Sequence, residues 1–127
     1  MMPPPSSSSS SSEKTPSVIL KIRLLHKELY TIGQKLPKRD KLGIHATVEN
    51  FSVEILALAV EGAFKPKPLK LPLLDRLRVR IEVIKHLIRT EYELKIIEEK
   101  TYLRLSEQAI EISKMTNGWI AYTQKGA

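Results

Sequence analysis

Leu74-Asp75-Arg76-Leu77-Arg78-Val79-Arg80-Ile81-Glu82-Val83-Ile84-Lys85-His86-Leu87-Ile88 is the stretch that decides how this chain folds. Leu74, Leu77, Ile81, Ile84 and Ile88 fall at alternating steps of three and four, which puts all five on one face of a helix. The same spacing recurs upstream in Val18, Ile22, Leu25, Leu29, Ile32 and Leu36, and again in Ile44, Val48, Phe51, Ile55 and Leu58. Downstream it returns in Tyr102, Leu105, Ala109 and Ile112, with Trp119 further along. Each stripe must be buried against something, and four helices bury one another most simply. The expected fold is all-α, an antiparallel up-down four-helix bundle.

Length and composition agree with a single core. The chain has 127 residues, and a low-complexity start leaves roughly 110 to fold, one domain's worth. It has no cysteine, so neither a disulfide framework nor a thiolate metal site is possible, and a cytoplasmic location is expected. The longest aliphatic run, residues 55–60, is far short of the ~18 residues of a membrane span. A soluble chain that does not enter the membrane follows as the expectation.

The first residues read Met-Met-Pro-Pro-Pro, then serine from Ser6 to Ser12. They have neither the basic start nor the apolar stretch of a secretory signal. With almost nothing to bury they cannot recover the entropy of ordering, so residues 1–16 are expected to be a disordered tail and 17–127 the bundle.

Local chemistry suggests the boundaries. Ser17 is a candidate N-cap, and Pro37 stops the first helix at about 17–35, because proline disfavours helical geometry in the residue before it. Asp40 is a candidate N-cap for a second helix of about 40–63, ending at Gly62 or Ala63. Pro66, Pro68 and Pro72 then suggest an extended crossing loop, with a third helix of about 73–94 and a fourth of about 99–124.

Charge is the second informative feature. Residues 21–89 hold fifteen lysines and arginines against seven acids, while residues 90–127 hold five against six. The excess behind the net charge of +7 should give the folded molecule a basic side that attracts a polyanion, nucleic acid being the commonest. A lysine-rich helical surface can also be a merely solvated face.

The third helix sharpens this choice. Beside its core stripe runs a second heptad, Leu73, Arg76, Arg80, Val83 and Leu87. That seam could be a subunit interface with arginines at its rim, or a groove wall where Arg76 and Arg80 grip phosphate through paired hydrogen bonds. Arg78, Lys85 and Arg89 project beside the core stripe, where Glu82 or Glu93 can pair with some of them. Lys65, Lys67 and Lys70 in the loop, and Lys21, Arg23 and Lys27 on the first helix, complete the candidate basic surface. Ile19, Val53, Leu56, Val60, Leu103 and Ile110 lie off the main stripes, and contacts between subunits would bury them. A homo-oligomer is therefore expected.

Catalysis and metal binding find little support. His26, His45 and His86 do not share a helix face, no His-Glu-x-x-His pattern occurs, and the phosphate loop, dinucleotide fingerprint and nucleophile elbow are absent. No cofactor, metal or catalytic residue is expected. Gly33 and Gly43 read as sites of close helix approach or fraying, and Trp119 as a core or interface anchor rather than a base-stacking platform.

The string from Lys70 through Leu71-Pro72-Leu73-Leu74 to Ile88-Arg89 resembles the third-helix signature of the accessory variability determinant of diversity-generating retroelements. Agreement continues in Lys41-Leu42-Gly43, Val60-Glu61-Gly62-Ala63, Lys100-Thr101-Tyr102 and Asn117-Gly118-Trp119-Ile120, covering about residues 24–121. The resemblance implies a homopentameric barrel of four-helix bundles without a catalytic centre. It further implies binding of template RNA or DNA and association with the reverse transcriptase during mutagenic copying. On it, Arg76, Arg78, Arg80, Lys85 and Arg89 are candidate contacts to template RNA or polymerase. The Ser/Pro tail departs from the family pattern, and Glu91, Glu93, Glu98 and Glu99 make the turn into the last helix acidic, which should exclude that end from binding. Related ribosomal RNA intervening-sequence proteins share the bundle, and they supply the alternative: a protein-interaction module whose positive charge is incidental.

Overall fold

The computed structural model describes residues 16–125. The tail expected at 1–16 thus lies outside the described residues except for Pro16, which caps the first helix. Helices are the only regular elements among the described residues: α1 is Ser17–Gln34, α2 Lys38–Leu42, α3 Ile44–Phe64, α4 Lys67–Glu93 and α5 Glu99–Lys125. Helix α1 packs on α3 and α5, and α4 packs on the same two, so the four long helices close a ring in the order α1, α3, α4, α5.

The predicted stripes face inward. Val18, Ile22, Leu25 and Leu29 of α1 meet Val48, Ile55 and Leu58 of α3, Leu74, Leu77, Ile81, Ile84 and Ile88 of α4, and Leu105 and Ile112 of α5 in one buried cluster, and Ala109 of α5 is buried as well. Trp119 packs against it, and a Cβ on Gly62 would lie 3.5 Å from the indole. The anchor reading of the tryptophan is the one the packing supports.

Three boundaries differ from expectation. Ser17 is the first helical residue rather than the cap, since Pro16 occupies the cap position. Asp40 sits inside the one-turn helix α2 instead of capping the next helix; Pro37 caps α2, and Gly43 breaks the chain before α3. A Cβ there would come within 2.7 Å of the Arg39 carbonyl oxygen.

The largest difference is the crossing loop, which does not exist. Only Lys65 and Pro66 separate α3 from α4. Pro66 is the cap of α4 and Pro68 its second residue, positions whose N–H groups have no partner in a helix anyway. Pro72 alone removes an interior hydrogen bond, and α4 continues through it. Lys70, one turn in, donates from Nζ to the carbonyl oxygens of Gly62 at 2.7 Å and Ala63 at 3.3 Å. It thereby satisfies the free end of α3 and ties the two helices together.

Helices α2 and α3 together, Lys38–Phe64, are long and apolar enough by composition to cross a membrane, with a mean hydropathy of 1.2. Their inward face is part of the core, while Val53, Val60 and Phe64 point outward, Phe64 being 84% exposed.

Candidate nucleic-acid interface

The candidate cations do not share one side. Arg80 leans toward α3, its Nε donating to Glu54 Oε1 at 2.8 Å. Arg78, Lys85 and Arg89 lie on the other flank of α4, along its groove with α5. Lys21, Arg23 and Lys27 are on α1, at the opposite corner of the ring from α4. The expected single basic side is therefore split, because helices adjacent in sequence around the charge maximum are not all adjacent in space.

Most of the α4 cations are also engaged. Arg78 pairs with Asp75, Lys85 with Glu82 at 3.1 Å and Arg89 with Glu93 at 3.1 Å. The Glu93 carboxylate, followed by the Tyr102 hydroxyl, raises the pKa of Arg89. Tyr102 in turn stacks on Tyr92 with ring centroids 4.6 Å apart. The groove beside them, about 450 Å³, is lined by Lys85, His86 and Arg89 together with Glu82 and Tyr102. Lys21 pairs with Glu111 at 3.4 Å, and Lys70 is committed to carbonyls. Among the described residues Arg23, Lys27, Lys65 and Arg76 find no ion-pair or side-chain hydrogen-bond partner, whereas Lys67 is engaged. Arg76 is exposed, so of the mixed seam it alone presents a free guanidinium.

The end expected to be acidic keeps part of that character. Glu91 is fully buried and Glu93 is held by Arg89, which leaves Glu98 and Glu99 beside Lys95 and Lys100. The α4–α5 turn also shares a groove with Lys35 and Leu36 at the end of α1.

Sequence reasoning missed the buried polar centre. His45 has 0% exposure; its Nδ1 lies 2.7 Å from Glu91 Oε2 and its Nε2 2.7 Å from the Leu29 carbonyl oxygen. A helical carbonyl only accepts, so Nε2 carries a hydrogen. Burial pulls the pKa of His45 down, but the hydrogen bonds to Glu91 and Leu29 and the charges of Glu91 and Glu49 raise it further, for a net rise. The ring thus links α1, α3 and α4 through both of its nitrogens, and the rise in its pKa favours the charged form. Glu91 Oε1 has no hydrogen-bond partner among the described residues, which leaves the pair strongly dependent on its one short contact. Gly33 makes room for it, since a Cβ there would lie 2.9 Å from His45 Cδ2.

His26 and Ser52 form a second polar contact at 2.7 Å. Ser52 donates its hydroxyl proton to the Glu49 carbonyl oxygen at 2.6 Å, so the histidine donates to the serine. That polarity is opposite to the one that activates a nucleophile. Among the described residues no three His, Asp or Glu side chains converge on a metal position.

Neither protein-family models, nor curated proteins, nor solved structures contain a match to this chain.

Proposed function

We propose that this chain is a non-catalytic adaptor that holds a nucleic-acid backbone, template RNA or its complementary DNA, against a reverse transcriptase in the cytoplasm. The observation that carries the reading is the surplus of unengaged surface cations. Many of the acids already face a partner, as Glu28, Glu54, Asp75, Glu82, Glu91, Glu93 and Glu111 do. Among the described residues Arg23, Lys27, Lys35, Lys38, Arg39, Lys41, Lys65, Arg76, Lys95, Lys100, Lys114 and Lys125 are exposed and make no ion pair, against six acids without a lysine or arginine partner, Asp40, Glu49, Glu61, Glu98, Glu99 and Glu107. Such cations bind phosphate without first giving up an ion pair, and they read backbone rather than sequence.

Polymerase partnership, mutagenic copying and a pentameric assembly come from the family resemblance. An up-down order of the helices is supported by the paired contacts: His45 with Glu91 and Glu54 with Arg80 advance in opposite chain directions. Exposed Val53, Val60 and Phe64 on α3, and Leu103 and Ile110 on α5, supply apolar surface that an assembly would cover.

A second reading rests on that same α3 face. Val53, Leu56, Ala57, Val60 and Phe64 line an apolar groove of about 630 Å³, which suits a protein-interaction module of the intervening-sequence type. Co-expression with the reverse transcriptase and its template RNA, followed by purification and a solution mass, separates the two. Recovery of polymerase and RNA with an oligomer of this chain is the expected result. Recovery of a protein partner alone, unchanged by nuclease, would replace the adaptor with the interaction module.

A further inference from the structure

We infer that the nucleic-acid backbone is gripped at one end of the bundle, by the short helix α2 and the turn facing it, rather than along α4. This inference rests on the adaptor reading and locates its contact surface.

Residues 35–41 carry Lys35, Lys38, Arg39 and Lys41 with Asp40 as their one acid, the densest run of cations in the described chain. All four are exposed, and none has an ion-pair or side-chain hydrogen-bond partner among the described residues. The contrast with α4 is direct. Arg78, Arg80, Lys85 and Arg89 each have an acidic partner, so a phosphate would have to displace a carboxylate there.

The backbone presents these charges as an ordered array. Pro37 opens α2, with its carbonyl oxygen accepting from Asp40 N at 3.0 Å and Lys41 N at 2.9 Å, and α2 packs on α3. Within α2, Lys38 and Lys41 are three residues apart, a step that returns side chains to the same face, and Lys35 precedes the helix by three residues. Lys35 and Leu36 border a groove of about 360 Å³ whose far wall includes Ile96, Lys100 and Thr101. Lys95, exposed in the same turn, also has no acidic partner among the described residues. Six cations without an ion pair thus stand at one end of the molecule, against three acids without one, Asp40, Glu98 and Glu99, of which Glu98 lines the same groove.

The chemistry favours phosphate over an acidic protein surface. Protein interfaces are depleted in lysine and built around aromatic anchors, whereas residues 35–41 are lysine-rich and contain no aromatic. Lysine acts on phosphate as a mobile point charge, which suits a flexible single strand.

The test compares Lys38→Gln/Arg39→Gln/Lys41→Gln with Arg78→Gln/Lys85→Gln/Arg89→Gln and the unaltered chain. Each is titrated with an unstructured single-stranded RNA, followed by fluorescence anisotropy over a range of salt. The α2 variant should bind on the order of 100-fold more weakly at 0.1 M salt, with its salt slope reduced by about 2, while the α4 variant stays within about threefold. Equal losses, or a larger loss in the α4 variant, overturn the inference while leaving the adaptor reading in place. Absence of RNA binding by the unaltered chain removes both. Should circular dichroism reveal lost helicity in the α2 variant, Lys35→Gln/Lys100→Gln leaves α2 intact and should still lower the slope by about 1.4; an unchanged slope overturns the inference.

Discussion

At the scale of single residues the decisive feature is the buried His45–Glu91 pair, with the glycine that admits it. Alanine in place of glycine inside a helix ordinarily gains up to about 1 kcal/mol. At Gly33 the new methyl would meet His45 Cδ2 at 2.9 Å, and the ring is fixed by hydrogen bonds at both nitrogens. Overpacking of this kind costs about 1–3 kcal/mol, so Gly33→Ala should lower stability to urea by about 1–2 kcal/mol. Gly118, where a Cβ would meet nothing within 4 Å, is the internal comparison; Gly118→Ala should raise stability by about 0.5–1 kcal/mol.

Titration of His45 gives the second expectation at this scale. Its pKa lies above the ordinary 6.5, so its contribution is fully present below that value and is lost as pH rises through the folded-state pKa. Unfolding free energy should therefore fall across that interval, and Glu91→Gln should flatten the fall. Glu91→Ala, which leaves the buried His45 ring without its carboxylate, should cost about 3–5 kcal/mol. A pH profile identical in the wild type and Glu91→Gln would contradict the charged-pair assignment. None of this was legible in the sequence. His45 and Glu91 are separated by 46 residues, and a lone histidine or glutamate on a helix carries no local sign of its partner. Only the closure of three helices brings them together.

At the scale of elements, the apolar stripes were legible because burial imposes the helical period on every turn. The connections were read less well. Three prolines near the start of α4 suggested a loop, but proline is a poor stop signal where the first-turn N–H groups have nothing to bond to. The turn between α4 and α5 is closed without glycine. Lys95 takes a left-handed φ of 64°, with Lys95 N bonded to Tyr92 O and Ile96 N to Glu91 O, each at 2.9 Å. This is the helix-ending motif that usually places glycine at the left-handed position. A side chain there costs about 1–2 kcal/mol, partly offset by the greater unfolded-state entropy of glycine. Lys95→Gly should accordingly raise the thermal midpoint, with a gain of about 0.5–1 kcal/mol. A lowered midpoint would mean that the Lys95 stem contributes packing that the backbone geometry does not reveal.

For the whole molecule the ring order governs how charge is displayed. Counting lysines and arginines along the chain suggested one basic side, yet α1 and α4 occupy opposite corners, and the α4 cations mostly face acids three or four residues away or on α3. The i, i+3 and i, i+4 pairs could be anticipated from spacing; Arg80 with Glu54 could not. What remains unengaged gathers at the end formed by α2 and the α4–α5 turn, a juxtaposition that depends on which helix ends meet. The measurement that tests this account most directly is the salt dependence of single-stranded RNA binding by the unaltered chain. The account predicts that the logarithm of the association constant falls linearly with the logarithm of salt concentration, with a slope of about −2 to −4 for three to six phosphates neutralised. A slope indistinguishable from zero, or no binding at low salt, would contradict it.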